Sequence, residues 1–293
     1  MLDVISLGDY YSPINDQEGL PELRAEVNTV CGERFRRIDR FIQLCLLGAA
    51  RCAETASLDG KTGLYIGSRF AAVCNTIKVQ EQMFVHGQIP KPANFINTLS
   101  NSAGYYVARN LNLQGKNIFV SRANASLEAV LELARLDLQN GTVEQALIGV
   151  VDEGVPVQAD HCQRMGIPGD TALAEGSHWF LLRRHRQTSD AEKESALATI
   201  TEVQVLPDEP SLRRWLDKHL AQHANTFIYS DPLKPAALNT GELGLALYEP
   251  ALDYYPSRTG GALIRFIQEK KQAALITLCG DEAGRSHVTH TLV

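Results

Sequence analysis

The sequence lacks any apolar run of the about 20 residues needed to span a bilayer. Its longest, Leu44 to Ala50, reads as part of a buried helix. It lacks an excess of basic charge: 28 Lys and Arg stand against 34 Asp and Glu, for a net charge of −6. That balance offers little to nucleic acid or to an anionic membrane surface. The opening stretch MLDVISLGDYYSP has no basic region leading into an apolar one, so no secretory signal is expected and the chain is read as cytoplasmic. Cysteines at 31, 45, 52, 74, 162 and 279 form no CxxC pair and no zinc-type spacing, so all six are read as reduced thiols and no metal site is expected. There is no Gly-rich dinucleotide fingerprint, and Lys61 to Gly67 has no phosphate-loop pattern, so no cofactor is expected either.

What is present is an alternation of helix and strand patterns. Arg36 to Thr55 reads as a helix, with Ile38, Phe41, Ile42, Cys45 and Leu46 at helical spacing. Leu64 to Gly67 and Asn117 to Ser121 read as strands, and Asn124 to Gln139 as a helix stopped by Gly141. Gln145 to Val151 (QALIGVV) is continuously apolar, as in a strand covered on both faces, and His178 to Arg183 is similar. Gln187 to Ser195 is polar and reads as a surface loop. Leu212 to Gln222 follows as an amphipathic helix and Thr226 to Ser230 as a strand. The pattern predicts an α/β protein, with its best internal boundary in the polar region 187–210.

Several segments, in order, resemble the β-ketoacyl synthases. Phe95 to Gly104 (FINTLSNSAG) is similar to that family's F-x-N-T-x-S-N segment, and Leu113-x-Gly115-x-Asn117 to its entry into a strand. Ala146 to Glu153 resembles a strand ending in Asp-Glu, and Leu173 to Gly176 followed by HWFLL resembles the L-x-E-G segment. The likeness covers roughly residues 36–185 and is weak from 186 to 293. It implies a thiolase fold of five αβαβα layers in two similar halves, 1–186 and a shortened 187–293. It also implies a dimer joined through the strand Asn117, Ile118, Phe119, Val120 and Ser121.

The resemblance also implies a chemistry, and its residues are missing. Family enzymes use a cysteine at the start of a buried helix, where the helix N-terminus favours the thiolate and backbone N–H groups form an oxyanion hole. Two histidines assist. In this chain Asn124 stands at the cysteine position, in Arg122-Ala-Asn-Ala-Ser126. An amide is no nucleophile there, and its plainest use is to cap the helix. Ser126 has no histidine beside it in the sequence and reads as a small residue of the first turn. The first histidine loop corresponds to Asp231 to Glu242 and the second to Pro256 to Ala262, and neither contains a histidine. His287 and His290 read as core or surface residues rather than catalytic ones.

No catalytic residue is therefore assigned. Asp152-Glu153 reads as a structural carboxylate pair. Arg34, Arg36, Arg37 and Arg40 are a possible contact for an acidic acyl carrier protein, set against a structural role. The resemblance is to the chain-length-factor subunits of type II polyketide and aryl polyene ketosynthase pairs. It implies a non-catalytic subunit that pairs with an active ketosynthase, meets the carrier protein through that complex, and shapes the acyl tunnel in polyketide or fatty-acid-type synthesis. The alternative is an acyltransferase or thioester hydrolase with a relocated nucleophile.

Overall fold

The computed structural model describes residues 1–14, 19–155, 167–168, 171–185, 196–223, 225–231 and 246–293. Among the described residues ten strands form one mixed sheet in the order β3-β2-β4-β5-β1-β6-β10-β9-β7-β8. In the first half these are β1 (Leu2–Pro13), β2 (Gly63–Gly67), β3 (Asn117–Val120), β4 (Gln145–Asp152) and β5 (Ala174–Arg184). In the second they are β6 (Ala198–Leu206), β7 (Thr226–Ser230), β8 (Ala246–Leu247), β9 (Ala274–Gly280) and β10 (Ser286–Leu292).

The pairings repeat between the halves. Strands β2, β3 and β4 run parallel, and β5 and β1 close that half antiparallel. Strands β7, β8 and β9 are parallel in the same way, with β10 and β6 antiparallel. The halves join at a short β1–β6 seam, where Leu2, Asp3 and Val4 face Ile200, Thr199 and Ala198.

Helices divide this sheet into layers. Helices α1 (Arg24–Val30), α2 (Arg40–Ala53) and α5 (Ser102–Asn110) cover the outer face of the first half. Helices α6 (Ser126–Gln139) and α8 (Arg258–Glu269) lie between the halves and touch strands of both. Helix α7 (Glu209–Leu220) packs on the outer face of the second half through Leu212, Trp215 and Leu216. The result is the five-layered αβαβα arrangement. Short helices α3 (Val73–Gln80), continuing as a π turn over Glu81–Val85, and α4 (Pro92–Ile96) lie in the long β2–β3 connection.

Local chemistry explains the elements. Strand β4 is buried along its whole length, as expected of a parallel strand covered on both faces. Helix α2 begins at Arg40 rather than Arg36, because the Asp39 side chain accepts the N–H of Ile42 at 2.9 Å and sets the first turn there. Helix α6 begins at Ser126, two residues later than its apolar pattern suggests, and Gly141 beyond its end takes a left-handed φ of 69°. The polar boundary region is narrower than 187–210. Residues 198–206 form β6, with Ala198, Ile200, Val203 and Leu206 buried. The loop read at 187–195 lies outside the described residues. No helix among the described residues is long and apolar enough to cross a membrane.

Candidate functional site

The carboxyl ends of the parallel strands of both halves converge on the N-terminus of α6, the usual location of sites in open α/β sheets. Strand β2 ends at Ser68-Arg69, β3 at the turn 121–125, β4 at Asp152 and β7 at Asp231. Strand and helix approach closely here: a Cβ on Gly67 would come within 2.8 Å of the Ser126 carbonyl oxygen.

Asn124 lies in this turn and is 5% exposed. Its Nδ2 donates to Asp231 at 2.9 Å, and its Oδ1 accepts from the Arg69 guanidinium. The side chain thus bridges the two halves and does not cap α6, whose N-cap position is Ala125 without a side-chain cap. The capping role expected for Asn124 fails for a physical reason: its bonds to the half-buried Arg69 and the buried Asp231 hold the amide away from the helix N–H groups. Ala123 takes a left-handed backbone with φ 48°, which costs a residue with a Cβ about 1–2 kcal/mol and is held in place by this bonding. Ser126 Oγ accepts the N–H of Arg122 at 3.0 Å and donates to the Ala123 carbonyl at 2.8 Å, so it ties the turn together.

Two carboxyls around this centre differ sharply. Asp152 Oδ1 accepts from Ser68 Oγ at 2.8 Å and from the Arg69 N–H at 2.9 Å, which binds the β4 end to the β2 end. Glu128, in the first turn of α6, is fully enclosed, and among the described residues neither of its oxygens has a partner. Burial pushes its carboxyl up to about 8, with the nearby Asp231 adding to the effect, so it is protonated at neutral pH. Nothing in the spacing of the sequence marked Glu128 out.

Neither late histidine is bonded to Asn124 among the described residues, although His287 lies within electrostatic reach of Arg122 in the same turn. His287 and His290 sit on opposite faces of β10. His287 Nε2 pairs with Asp281 at 3.1 Å, whereas His290 packs in the outer layer against Trp215 and His219. Among the described residues, the hydrogen-bonding partners of the Asn124 amide include no histidine. Most of the segment matched to the first histidine loop, 232–242, lies outside the described residues. The thiols of Cys31, Cys45, Cys52, Cys74 and Cys279 are all free and all pushed up by burial, away from the thiolate form a nucleophile needs. Cys162 lies outside the described residues. No group of three metal-ligating side chains occurs among the described residues.

The arginine cluster is divided. Arg34, Arg36 and Arg37 are exposed, while Arg40 is drawn inward. Its Nε donates to the buried Glu175 at 2.7 Å and its Nη1 to the Pro21 carbonyl at 2.9 Å. The strand Asn117 to Val120 is an open edge of the sheet, bonded to β2 on one side only, with Ser121 just beyond it.

The sequence model of the β-ketoacyl synthase N-terminal domain matches residues 18–171. No curated protein sequence matches the chain. Solved structures do. The ishigamide ketosynthase/chain length factor aligns with TM-score 0.72 and 14% identity, covering 100% of this chain and 99% of that one. A type II polyketide synthase acyl-carrier protein in complex with its ketosynthase bound to the hexaketide aligns with TM-score 0.73 and 13% identity, covering 100% and 99%. The ketosynthase from module 6 of the bacillaene synthase of Bacillus subtilis 168 aligns with TM-score 0.71 and 12% identity, covering 100% of this chain and 72% of that one. Since the sequence match spans more than half of the 293 residues and the whole chain takes the thiolase-type fold, the chain belongs to the β-ketoacyl synthase family.

Proposed function

We propose that this chain is a non-catalytic, chain-length-factor-like subunit that pairs with an active β-ketoacyl-acyl carrier protein synthase in the cytoplasm. The partner supplies the cysteine and histidines, and this chain shapes the acyl tunnel in polyketide synthesis of the type II or aryl polyene kind, or in fatty-acid-type synthesis. The carrying observation is the Asn124 turn. The side chain at the head of α6 is an amide bonded to Arg69 and Asp231, so the position holds no nucleophile.

Assembly follows from the edges of the sheet. An open edge such as β3 is costly to leave exposed. Close by in the same β2–β3 connection, Met83, Phe84, Val85, Ile89, Phe95 and Ile96 are all exposed. Large apolar side chains gathered on one connection mark an interaction surface. We infer that this surface and β3 meet the partner ketosynthase, burying more than about 2,000 Å², the range of obligate pairs. Arg34, Arg36 and Arg37 remain free to meet the acidic carrier protein. Arg40 contributes to the fold.

The test is co-expression with the ketosynthase encoded beside this chain, followed by sedimentation of the purified material. A stable heterodimer is expected. A soluble monomer that binds no ketosynthase from its own operon overturns the proposal.

A further inference from the structure

Away from the Asn124 turn, three imidazoles gather on the outer face of the second half. The ring of His290 on β10 lies 4.9 Å from that of His219 on α7 and 5.4 Å from that of His223 in the turn after it. His219 also stacks on Trp215 at 3.9 Å. Both nitrogens of His219 face oxygens, Nδ1 the Trp215 carbonyl and Nε2 the Glu202 carboxylate, each at 2.8 Å, an arrangement suited to an imidazolium in the last turn of a helix. His290 is placed otherwise. Thr201 Oγ1 donates to the His290 carbonyl at 3.2 Å, so it accepts the His290 Nδ1–H at 2.6 Å. That leaves Nε2 as a bare lone pair, buried and without a partner among the described residues.

A proton added at Nε2 therefore finds no acceptor among the described residues and sits beside two other imidazoles. The charges around it give little relief. Helix α7 contributes His219 and Lys218, and the following turn His223. Strand β6 contributes Glu202, which His219 at 2.8 Å and Lys218 at 3.9 Å already engage. Ile276, opposite on β9, is apolar. Helix α7 is also lightly held. Its Leu212, Trp215 and Leu216 meet Ile228, Ile276 and Val288 in a small core separate from the two large ones. Elements that rest on few buried apolar contacts open well below the free energy of global unfolding.

We propose that His290, His219 and His223 form an acid-sensitive latch: a proton on His290 releases α7 from the outer face of the second half while the rest of the sheet stays folded. Burial, then His219 and His223, push His290 down to about 4, with Lys218 adding to the effect and Glu202 opposing it. A released ring returns to its ordinary value of about 6.5. As pH falls below about 6.5 the released layer takes the proton first, and its population rises about tenfold per pH unit until about 4. The latch is a property of this chain alone and does not depend on its pairing with a ketosynthase.

Hydrogen–deuterium exchange tests the latch on the full chain, or on its complex if it purifies as one, with rates corrected for the intrinsic effect of pH. Between pH about 7 and about 5 the protection of the α7 amides is expected to fall about thirtyfold, while α2 in the first half keeps its protection. His290→Gln abolishes the fall. His223→Gln, at a half-buried ring, reduces it by removing one like charge, and carries the test should His290→Gln fail to fold. Protection of α7 that survives at pH about 5, an equal loss in α7 and α2, or a full loss persisting in both variants overturns the inference.

Discussion

The two halves of the sheet share a strand plan but carry it differently. In the first half the β2–β3 connection runs from Ser68 to Lys116 and holds α3, α4 and α5. In the second half the matching strands β7 and β8 are separated by 231–245, and β8 is two residues long. The first half ends in an edge of four residues, the second in one too short to template a partner. The strand plan is shared by the two halves, and the long connection of the first half carries a group of exposed apolar side chains.

The largest effect should come from the edges themselves. Val120→Asp places a carboxylate in the β3 edge and should abolish pairing with the ketosynthase, a loss of at least about 3–5 kcal/mol. Leu247→Asp, the same change on the exposed β8 edge, should leave the sedimentation profile of the complex unchanged. Equal damage by the two would erase the distinction between the halves.

Cores should be more alike than edges. Phe266 on α8 is fully buried and packs against Phe227 and Tyr248, so Phe266→Ala should cost about 3–5 kcal/mol in urea denaturation. The middle layer touches both halves, so they should still unfold in one transition.

The response to pH separates the halves again. Glu128 and Glu153, both of the first half, have carboxyls raised to about 8. Between the ordinary carboxylate value and 8 the folded chain holds protons that the unfolded chain has released, so stability falls as pH rises through that window. His290 acts the other way. Burial pushes it down to about 4, so as pH falls from about 6.5 the unfolded chain gains its proton first and stability is lost on acidification. Above pH about 6.5 the carboxyls remain, with a slope of about 1 kcal/mol per pH unit each. Glu128→Gln should flatten the slope of the urea midpoint between pH about 6.5 and 8, and His290→Gln the loss below pH about 6.5. A slope unchanged in Glu128→Gln would show that its carboxyl is already paired.

The smallest effect belongs to the outer layer of the second half. Asp208 accepts the N–H of Ser211 at 2.8 Å to start α7, so Asp208→Ala should lower the urea midpoint only slightly.

The sequence made some of this legible and hid the rest. Runs buried on both faces, such as β4 and β7, could be read directly because periodicity and burial agree. Strand β1 escaped notice although it joins the halves, because its buried face includes Ser6 and Gly8, which break the apolar alternation. The ketosynthase likeness and the Asn124 turn were visible as ordered motifs. The bonds of Asn124 to Arg69 and Asp231 were not, since they join residues 55 and 107 positions apart. Glu128 and Glu153 owe their properties to enclosure by elements distant in sequence, which no local pattern records.

The central claim is that the Asn124 centre does no covalent chemistry while its partner does. Intact mass spectrometry of the purified ketosynthase complex, after incubation with acyl- and malonyl-acyl carrier protein, tests this most directly. The account predicts a stoichiometric acyl adduct on the partner and none on this chain. An adduct on this chain would contradict it.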